Sequence, residues 1–217
     1  MVQAIPPRLM KTQSFLPRTG VQLVLTATTS LFLLGSLSAR AADKLEEFET
    51  ELTLDVEPNS HEETKIAIVE DPSAPGNHVL KLSWVGHRGS HVAGNIKGNN
   101  VKLIEEPGSY KVTARVNFEE CETDVQSLSL RVFDSQHETF QFTVPVEHAG
   151  EPGWHEIAWI ISTDSPDTGG VVSWGEHVNK VCDLPLRFLG FAAAFKGHET
   201  KGGAILFDDI AIERINP

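Results

Sequence analysis

A period of two in hydrophobicity is the feature that most constrains the fold of this chain. Apolar and polar residues alternate in seven segments, at 52–56, 112–116, 128–132, 140–144, 157–161, 188–195 and 205–212. Because successive side chains of a β-strand point to opposite faces, this period predicts strands that are buried on one face. Turn residues separate the strands, so the pattern predicts an all-β fold, an antiparallel β-sandwich or jelly roll. The one helical alternative covers residues 43–52, where Leu45, Phe48 and Leu52 recur at helical spacing.

Charge limits the classes of partner. The 217 residues include 18 Lys and Arg against 30 Asp and Glu, which gives a net charge of -12. This acidic balance excludes a basic nucleic-acid-binding protein. It also repels other polyanions unless a local basic patch or bound cations intervene, so neutral partners or divalent cations fit the charge best. Hydrophobic residues make up 40% of the chain, enough to bury the core of one domain, or two at most.

The N-terminus has the pattern of a signal peptide. Basic residues precede an apolar run at 21–37, and the triplet Ala-Arg-Ala at 39–41 matches a signal peptidase site. We therefore expect cleavage near Ala41, after which residues 42–217 are secreted or lie in the periplasm or cell envelope. The alternative is an uncleaved membrane anchor, but the apolar run is short and polar for a membrane span. After cleavage we expect no stable membrane insertion.

Both cysteines, Cys121 and Cys182, lie in the expected exported part. An even number of cysteines in an oxidising compartment predicts a disulfide, and two buried free thiols are the alternative. A bridge would close a loop of roughly 60 residues and stabilise the fold by about 4 kcal/mol in the chain-entropy model. No Cys-x-x-Cys or Cys-His pattern is present, so the predicted bridge is structural.

Three motifs in sequence order resemble the galactose-binding-like jelly rolls among carbohydrate-binding modules. The motifs are Gly-Ser-Tyr-Lys-Val at 108–112, Gly-Trp at 153–154 and Gly-Ala-Ile-Leu-Phe-Asp-Asp-Ile at 203–210. The resemblance covers nearly the whole expected mature chain. It implies that residues 42–217 form a secreted jelly-roll domain that binds a glycan or polysaccharide without cleaving it. Adhesion modules and enzyme-associated modules share this fold, so the resemblance does not identify the ligand.

Trp174 is the first candidate for a platform on which a sugar ring stacks. It follows a polar segment at 164–170, in a predicted loop or edge strand, and Glu176 and His177 come directly after it. Exposed aromatic side chains in such segments are a binding signal, and anchoring of the loop is the alternative role. The other three tryptophans are predicted to be structural: Trp84 and Trp159 as core residues, and Trp154 as the residue that opens a strand.

A second polar cluster contains His87, Arg88 and His91. Glycines at 86, 89 and 94 predict a loop here, from which His87 and Arg88 would donate hydrogen bonds to sugar hydroxyls or to a carboxylate. A solvated loop without a ligand is the alternative. A zinc site is disfavoured because no third ligand at a suggestive spacing accompanies the two histidines.

The resemblance also implies a structural Ca²⁺ beside Asp208 and Asp209. In a strand, adjacent side chains point to opposite faces, so one of the two carboxylates must face inward or toward an edge, where an unpaired charge is unfavourable. In the modules that this chain resembles, the first and last strands lie side by side and share the ion, and the matching acidic residue is Glu49. Hard carboxylate oxygens suit Ca²⁺. The alternative is that the carboxylates accept hydrogen bonds from backbone N–H groups and arginine.

Catalytic patterns are absent from the sequence. A glycosidase requires two suitably spaced carboxylates, and no Glu-x-Asp-x-x-Glu or Gly-x-Ser-x-Gly motif occurs. The only tyrosine, Tyr110, opens a strand and is a poor match for the base of a lyase. We therefore favour a binding module. Two alternatives stay open: a small jelly-roll lyase or hydrolase that uses His87, Arg88 and His177, and a structural or adhesion protein of the cell envelope.

Overall fold

A computed structural model describes residues 43–46, 48, 54–56, 63–96, 101–118, 120–121, 124–147, 151–164, 166, 170–197 and 199–215. The predicted signal peptide and Glu49 lie outside the described residues. Those residues include no helix that is long and apolar enough to cross a membrane.

Fifteen strands make up the regular structure of the described residues. They are β1 (Asp43–Glu46), β2 (Leu54–Val56), β3 (Lys65–Glu70), β4 (His78–Trp84), β5 (His87–Arg88), β6 (His91–Ile96), β7 (Lys102–Ile104), β8 (Ser109–Asn117), β9 (Val125–Phe133), β10 (Glu138–Pro145), β11 (Trp154–Ser162), β12 (Val172–Gly175), β13 (Leu186–Phe195), β14 (Glu199–Thr200) and β15 (Gly203–Ile215). Each of the seven alternating segments contains or overlaps a strand. The helical alternative at 43–52 is wrong for its first part, which forms β1.

The strands form two large antiparallel sheets. One has the order β11-β8-β15-β4-β3, with β1 also paired to β15; the other has the order β12-β10-β9-β13-β6-β2, with β7 also paired to β13. Strands β5 and β14 form a separate two-stranded sheet. The predicted antiparallel sandwich is therefore confirmed. The first described strand lies beside the last, as in the modules that the sequence resembles.

The core lies between the two large sheets. Phe191 of β13 and Phe207 of β15 stack across it with ring centroids 4.0 Å apart and planes within 4° of parallel. Trp159 packs against Phe191 from the six-stranded sheet, at a centroid distance of 5.7 Å. Trp84 and Trp159 are both buried, as predicted. These aromatic contacts connect β11 and β15 of one sheet to β13 of the other.

The loop predicted around His91 is wrong, because residues 91–96 form β6 within the seven-stranded sheet. Gly94 explains the difference. A Cβ atom there would lie 2.7 Å from Cδ1 of Ile66 and 3.1 Å from Cδ1 of Leu82. Glycine is needed here for close packing of the two sheets, whereas in the sequence it had indicated a turn.

The predicted disulfide is not formed, because Cys121 and Cys182 are not bonded to each other. The backbone of Cys121 forms an isolated β-bridge with Gly203 at the start of β15. Cys182 is buried near Asp134 and Glu138. Burial, followed by the negative charges of those carboxylates and of Asp183, raises the pKa of the Cys182 thiol to about 12. The thiol therefore stays protonated and is a poor nucleophile.

Candidate functional site

The outward face of the seven-stranded sheet brings Trp174 beside polar residues from four other strands. We call this surface, formed by the outward residues of β6, β9, β10, β12 and β13, the polar face. Strand register arranges it in cross-strand rows. The first row is Trp174, Thr139, Phe133 and Arg187; the second is Val172, Gln141, Arg131, Gly190 and Asn95; the third is Thr143, Ser129, Ala192 and Ala93.

Side-chain size varies systematically across the polar face. The largest groups, Trp174, Arg131 and Gln141, lie toward the β12 edge, whereas Gly190 and Ala192 form a low strip along β13. Asn95 lies beyond that strip, and its buried Oδ1 has no hydrogen-bond partner. Ser129 and Ala192 are each only 4% exposed, so the polar face is well exposed at its β12 edge, around Val172 and Trp174.

Trp174 is held in place by Arg131. The indole is 37% exposed, and the guanidinium carbon of Arg131 lies 5.1 Å from the ring centroid. Arg131 is itself only 4% exposed, and its Nε–H donates to Oε1 of Gln141 at 2.9 Å. This hydrogen bond orients the guanidinium against the indole, a favourable cation–π arrangement. The ring is thus both exposed and supported, as a stacking platform requires.

A buried carboxylate fixes the loop that follows Trp174. Glu138 is 0% exposed and accepts hydrogen bonds from the backbone N–H groups of Asn179, at 2.8 Å, and Lys180, at 3.1 and 3.2 Å. Charge-assisted hydrogen bonds of this kind offset the burial of the carboxylate. The structure places Glu176 and His177 in this loop, and both are exposed directly after the strand that carries Trp174.

The other two predicted ligand-binding residues, His87 and Arg88, lie outside the polar face. They form β5, which pairs with Glu199 and Thr200 of β14 in the small sheet. His91 is an exposed outward residue of β6 that pairs with Ala194, so it lies on the polar face in a further row with Ser127. The structure therefore does not bring His87 and Arg88 into the rows that contain Trp174.

Asp208 and Asp209 lie in a different place, on the outer side of the six-stranded sheet. The strand is irregular here: the register between β15 and β8 shifts after Asp208, and Asp209 has a φ of +51°. Nη1 of Arg115 lies 3.0 Å from Oδ2 of Asp209 and 3.8 Å from Oδ2 of Asp208. The guanidinium also stacks over Trp154, with its carbon 4.8 Å from the ring centroid.

Hydrogen bonds complete this acidic cluster. Asp208 is 2% exposed and accepts from Nδ2 of Asn77, at 3.1 Å, and from the N–H of Asp209, at 2.8 Å. Burial raises the pKa of Asp208. Burial also acts to raise the pKa of Asp71, but hydrogen bonds from Ser73 and Asn77 and the charge of Arg115 outweigh it, so the net pKa is lowered.

These contacts match the alternative to calcium that the sequence left open, namely backbone and arginine hydrogen bonds. In the part of the chain that the structure describes, no group of three or more His, Cys, Asp or Glu side chains is placed to hold a metal ion. The third residue of the expected set, Glu49, lies outside that part, so calcium stays a prediction. A pocket of about 430 Å³ adjoins the cluster, lined by Pro72, Ser73, Asn117, Glu120 and Leu206.

Several residues of the polar face were not found from the sequence. Alternation in 128–132 predicts that Ser129 and Arg131 face outward. It does not predict that Arg131 lies beside Gln141 and Trp174, because that requires the pairing of β9 with β10 and of β10 with β12. Arg187 was missed for the same reason.

No protein-family model matches this chain, and no curated protein matches it. Its fold is similar to solved structures. An exo-beta-agarase has a TM-score of 0.50 and 15% identity, over 80% of this chain and 26% of that one. The family 11 carbohydrate-binding module of the cellulosomal cellulase Lic26A-Cel5E of Clostridium thermocellum has a TM-score of 0.48 and 14% identity, over 82% and 97%. The CBM22-1 xylan-binding domain from Paenibacillus barcinonensis Xyn10C has a TM-score of 0.46 and 13% identity, over 83% and 99%.

This chain spans only 26% of the arabinofuranosidase and agarase structures that it matches. At such low identity the likeness concerns the fold alone. The two antiparallel sheets form a β-sandwich, so the fold class expected from the sequence motifs is confirmed.

Proposed function

We propose that this protein binds a glycan on its polar face and does not cleave it. The observation that carries the proposal is the exposed indole of Trp174, supported by Arg131 at the edge of a face with amide and hydroxyl side chains. Sugar rings stack their C–H faces on indoles, and their hydroxyls need such polar partners. Glu176 and His177, in the loop anchored by Glu138, would add hydrogen bonds at the same edge.

Binding is favoured over hydrolysis by the chemistry of the polar face. Glycoside hydrolysis uses a pair of carboxylates that flank the scissile bond. In the described strands β6, β9, β10, β12 and β13, the outward residues that form the polar face include no Asp or Glu. The buried carboxylate of Glu138, on the strand paired with β12, accepts hydrogen bonds from the loop backbone.

Export is part of the proposal. The signal-peptide pattern at 1–41 supports secretion or an envelope location, where polysaccharides are accessible. Expression of the full chain in a host with a secretion pathway, followed by N-terminal sequencing, should give a mature protein that begins near Ala42. Retention of the full-length chain in the membrane fraction would contradict this expectation.

The test of glycan binding is affinity electrophoresis through gels that contain soluble polysaccharides, with later staining for depolymerisation. Trp174→Ala should lose at least about 1 kcal/mol of binding free energy, roughly fivefold in affinity, because the main stacking group is removed. Trp154→Ala is the matched control, since it removes an indole from the other sheet. Unchanged retardation of folded Trp174→Ala would overturn the proposal, and clearing of the gel would indicate an enzyme. If no glycan retards the protein, the envelope-protein alternative gains support.

A further inference from the structure

We propose that the glycan bound by the polar face is acidic, with carboxylate or sulfate groups that contact Arg187. This inference rests on the proposed function and names its ligand class. It would make the polar face the local basic patch that an acidic protein needs to bind a polyanion.

Charge on the polar face is opposite to that of the whole protein. The chain has a net charge of -12, yet among the described strands the outward residues of this face include Arg131 and Arg187 and no carboxylate. Carboxylates do surround it. Glu176 lies in the exposed loop after β12, and Asp55 is on the edge strand β2, paired with Asn95. The arginines of this face therefore lie on the middle strands β9 and β13 of the sheet.

Arg187 has a second cation beside it. Lys102 of β7 pairs directly with Arg187 across the two strands. Like charges in directly opposed positions destabilise a sheet, so a bound anion would stabilise this arrangement. Lys102 forms an ion pair with Glu105, but both side chains are more than half exposed, and such pairs are weak.

The guanidinium of Arg187 is positioned for planar anions. Its carbon lies 5.7 Å from the ring centroid of Phe133, so the aromatic ring supports one face of the group. A guanidinium oriented in this way can donate two parallel hydrogen bonds to a carboxylate or sulfate. Arg131 adds positive charge nearby while its Nε–H is bonded to Gln141.

The spacing of the first row sets the size of the ligand. Trp174 and Arg187 belong to β12 and β13, which are separated by β10 and β9. Three strand spacings correspond to about 14 Å. A ligand that stacks on Trp174 and reaches Arg187 is therefore an oligosaccharide, with the anionic group on a sugar other than the stacked one.

Affinity electrophoresis tests this inference with acidic and neutral polysaccharides. Polygalacturonate and its methyl ester differ in the uronate charge and the ester methyl group, and dextran sulfate and dextran differ only in the sulfate groups. The protein should be retarded more by at least one acidic member than by its neutral partner. Arg187→Gln should weaken that interaction about tenfold or more, the effect of losing a charge-assisted hydrogen bond. Arg214→Gln removes the same charge from the other sheet and should leave the interaction unchanged.

The possible outcomes separate the two proposals. Retardation by polygalacturonate alone identifies a uronate, and retardation by dextran sulfate alone identifies a sulfate ester. The proposal of an acidic ligand is overturned if only neutral polysaccharides bind, or if Arg187→Gln and Arg214→Gln lose the same affinity. Either result leaves the proposal of glycan binding intact. Both proposals are overturned if none of these four polysaccharides retards the protein and neither a mixed-linkage β-glucan nor xylan does so.

Discussion

Two buried aspartates on the outer side of the six-stranded sheet have opposite ionisation behaviour. Burial raises the pKa of Asp208, whereas the hydrogen bonds of Ser73 and Asn77 and the charge of Arg115 hold the pKa of Asp71 low in spite of burial. The same amide, Asn77, contacts both carboxylates. Local hydrogen bonding rather than burial alone therefore decides the charge of each group.

Asp208→Asn should show the effect of this raised pKa on stability. The folded protein holds the Asp208 proton more tightly than the unfolded chain does. The stability that this group contributes is therefore complete below its ordinary pKa of 3.8 and is lost as pH rises through the folded pKa. Relative to wild type, the variant should therefore become more stable as pH rises above about 4. Urea unfolding at a series of pH values measures the difference.

Asp71→Asn is the internal control for that experiment. Because the pKa of Asp71 is lowered, its contribution is present above 3.8 and is lost as pH falls through the folded pKa. This variant should therefore lose stability relative to wild type as pH rises. If the stabilities of the two variants, relative to wild type, changed with pH in the same direction, the opposite pKa shifts of Asp208 and Asp71 would be contradicted.

At the scale of elements, the position of Trp174 depends on how a short edge strand is attached. β12 pairs with β10 through Val172 to Gly175, and a Cβ atom on Gly175 would lie 2.4 Å from the carbonyl oxygen of His137. The φ of Gly175 is +144°, which side chains rarely allow. Glycine at this position lets β12 approach β10 closely enough to place the indole on the polar face.

Gly175→Ala should therefore disturb both stability and glycan binding. The clash and the backbone strain should cost about 1–3 kcal/mol, and the displaced β12 should lower affinity as Trp174→Ala does. Gly153→Ala is the control, since its φ is +91° but no atom lies within 4 Å of the added Cβ. Chemical denaturation and affinity electrophoresis measure the two effects. If Gly175→Ala and Gly153→Ala lost the same stability and Gly175→Ala kept its affinity for glycan, β12 would tolerate the clash.

At the scale of the whole molecule, the last described strand pairs with the first described strand and with two strands of the six-stranded sheet. β15 pairs with β1 on one stretch and with β4 and β8 on others. The predicted calcium ion would act at this junction, where Arg115 forms ion pairs with Asp208 and Asp209. A cation that binds there must compete with the guanidinium.

Calcium binding can be measured as a shift in thermal unfolding. If the predicted site binds Ca²⁺, the ion at about 100 times its Kd should stabilise the fold by about 2.7 kcal/mol, and Glu49→Gln should abolish the effect. Arg115→Ala should be less stable than wild type without calcium and should gain more from the ion, because the competing charge is gone. Identical unfolding temperatures in calcium and in chelator, for both wild type and Arg115→Ala, would exclude the site.

Much of the fold was predictable because half-buried strands leave a local pattern. The alternation at 112–116 and 157–161 predicts one buried face, and the register confirms it, with Val112 opposite Trp159. Gly94 is a glycine because the packing there leaves no room for a Cβ atom. The sequence pattern around it therefore indicated a loop instead of β6. The disulfide prediction was wrong because cysteine count contains no information on the distance between Cys121 and Cys182.

The sequence by itself determined the antiparallel sandwich, the acidic charge and the choice of Trp174, because period, composition and residue type are local properties. Tertiary structure alone decided what surrounds that indole. Arg131 and Gln141 come from two strands and meet beside it only through cross-strand register, which also places Arg187 in the same row as the indole. Tertiary structure also decided that Arg115 lies beside Asp208 and Asp209, since the pairing of β8 with β15 brings Arg115 to Asp209, 94 positions away in sequence. A chain's strands can be read from nearest neighbours in sequence, whereas its sites depend on neighbours in space.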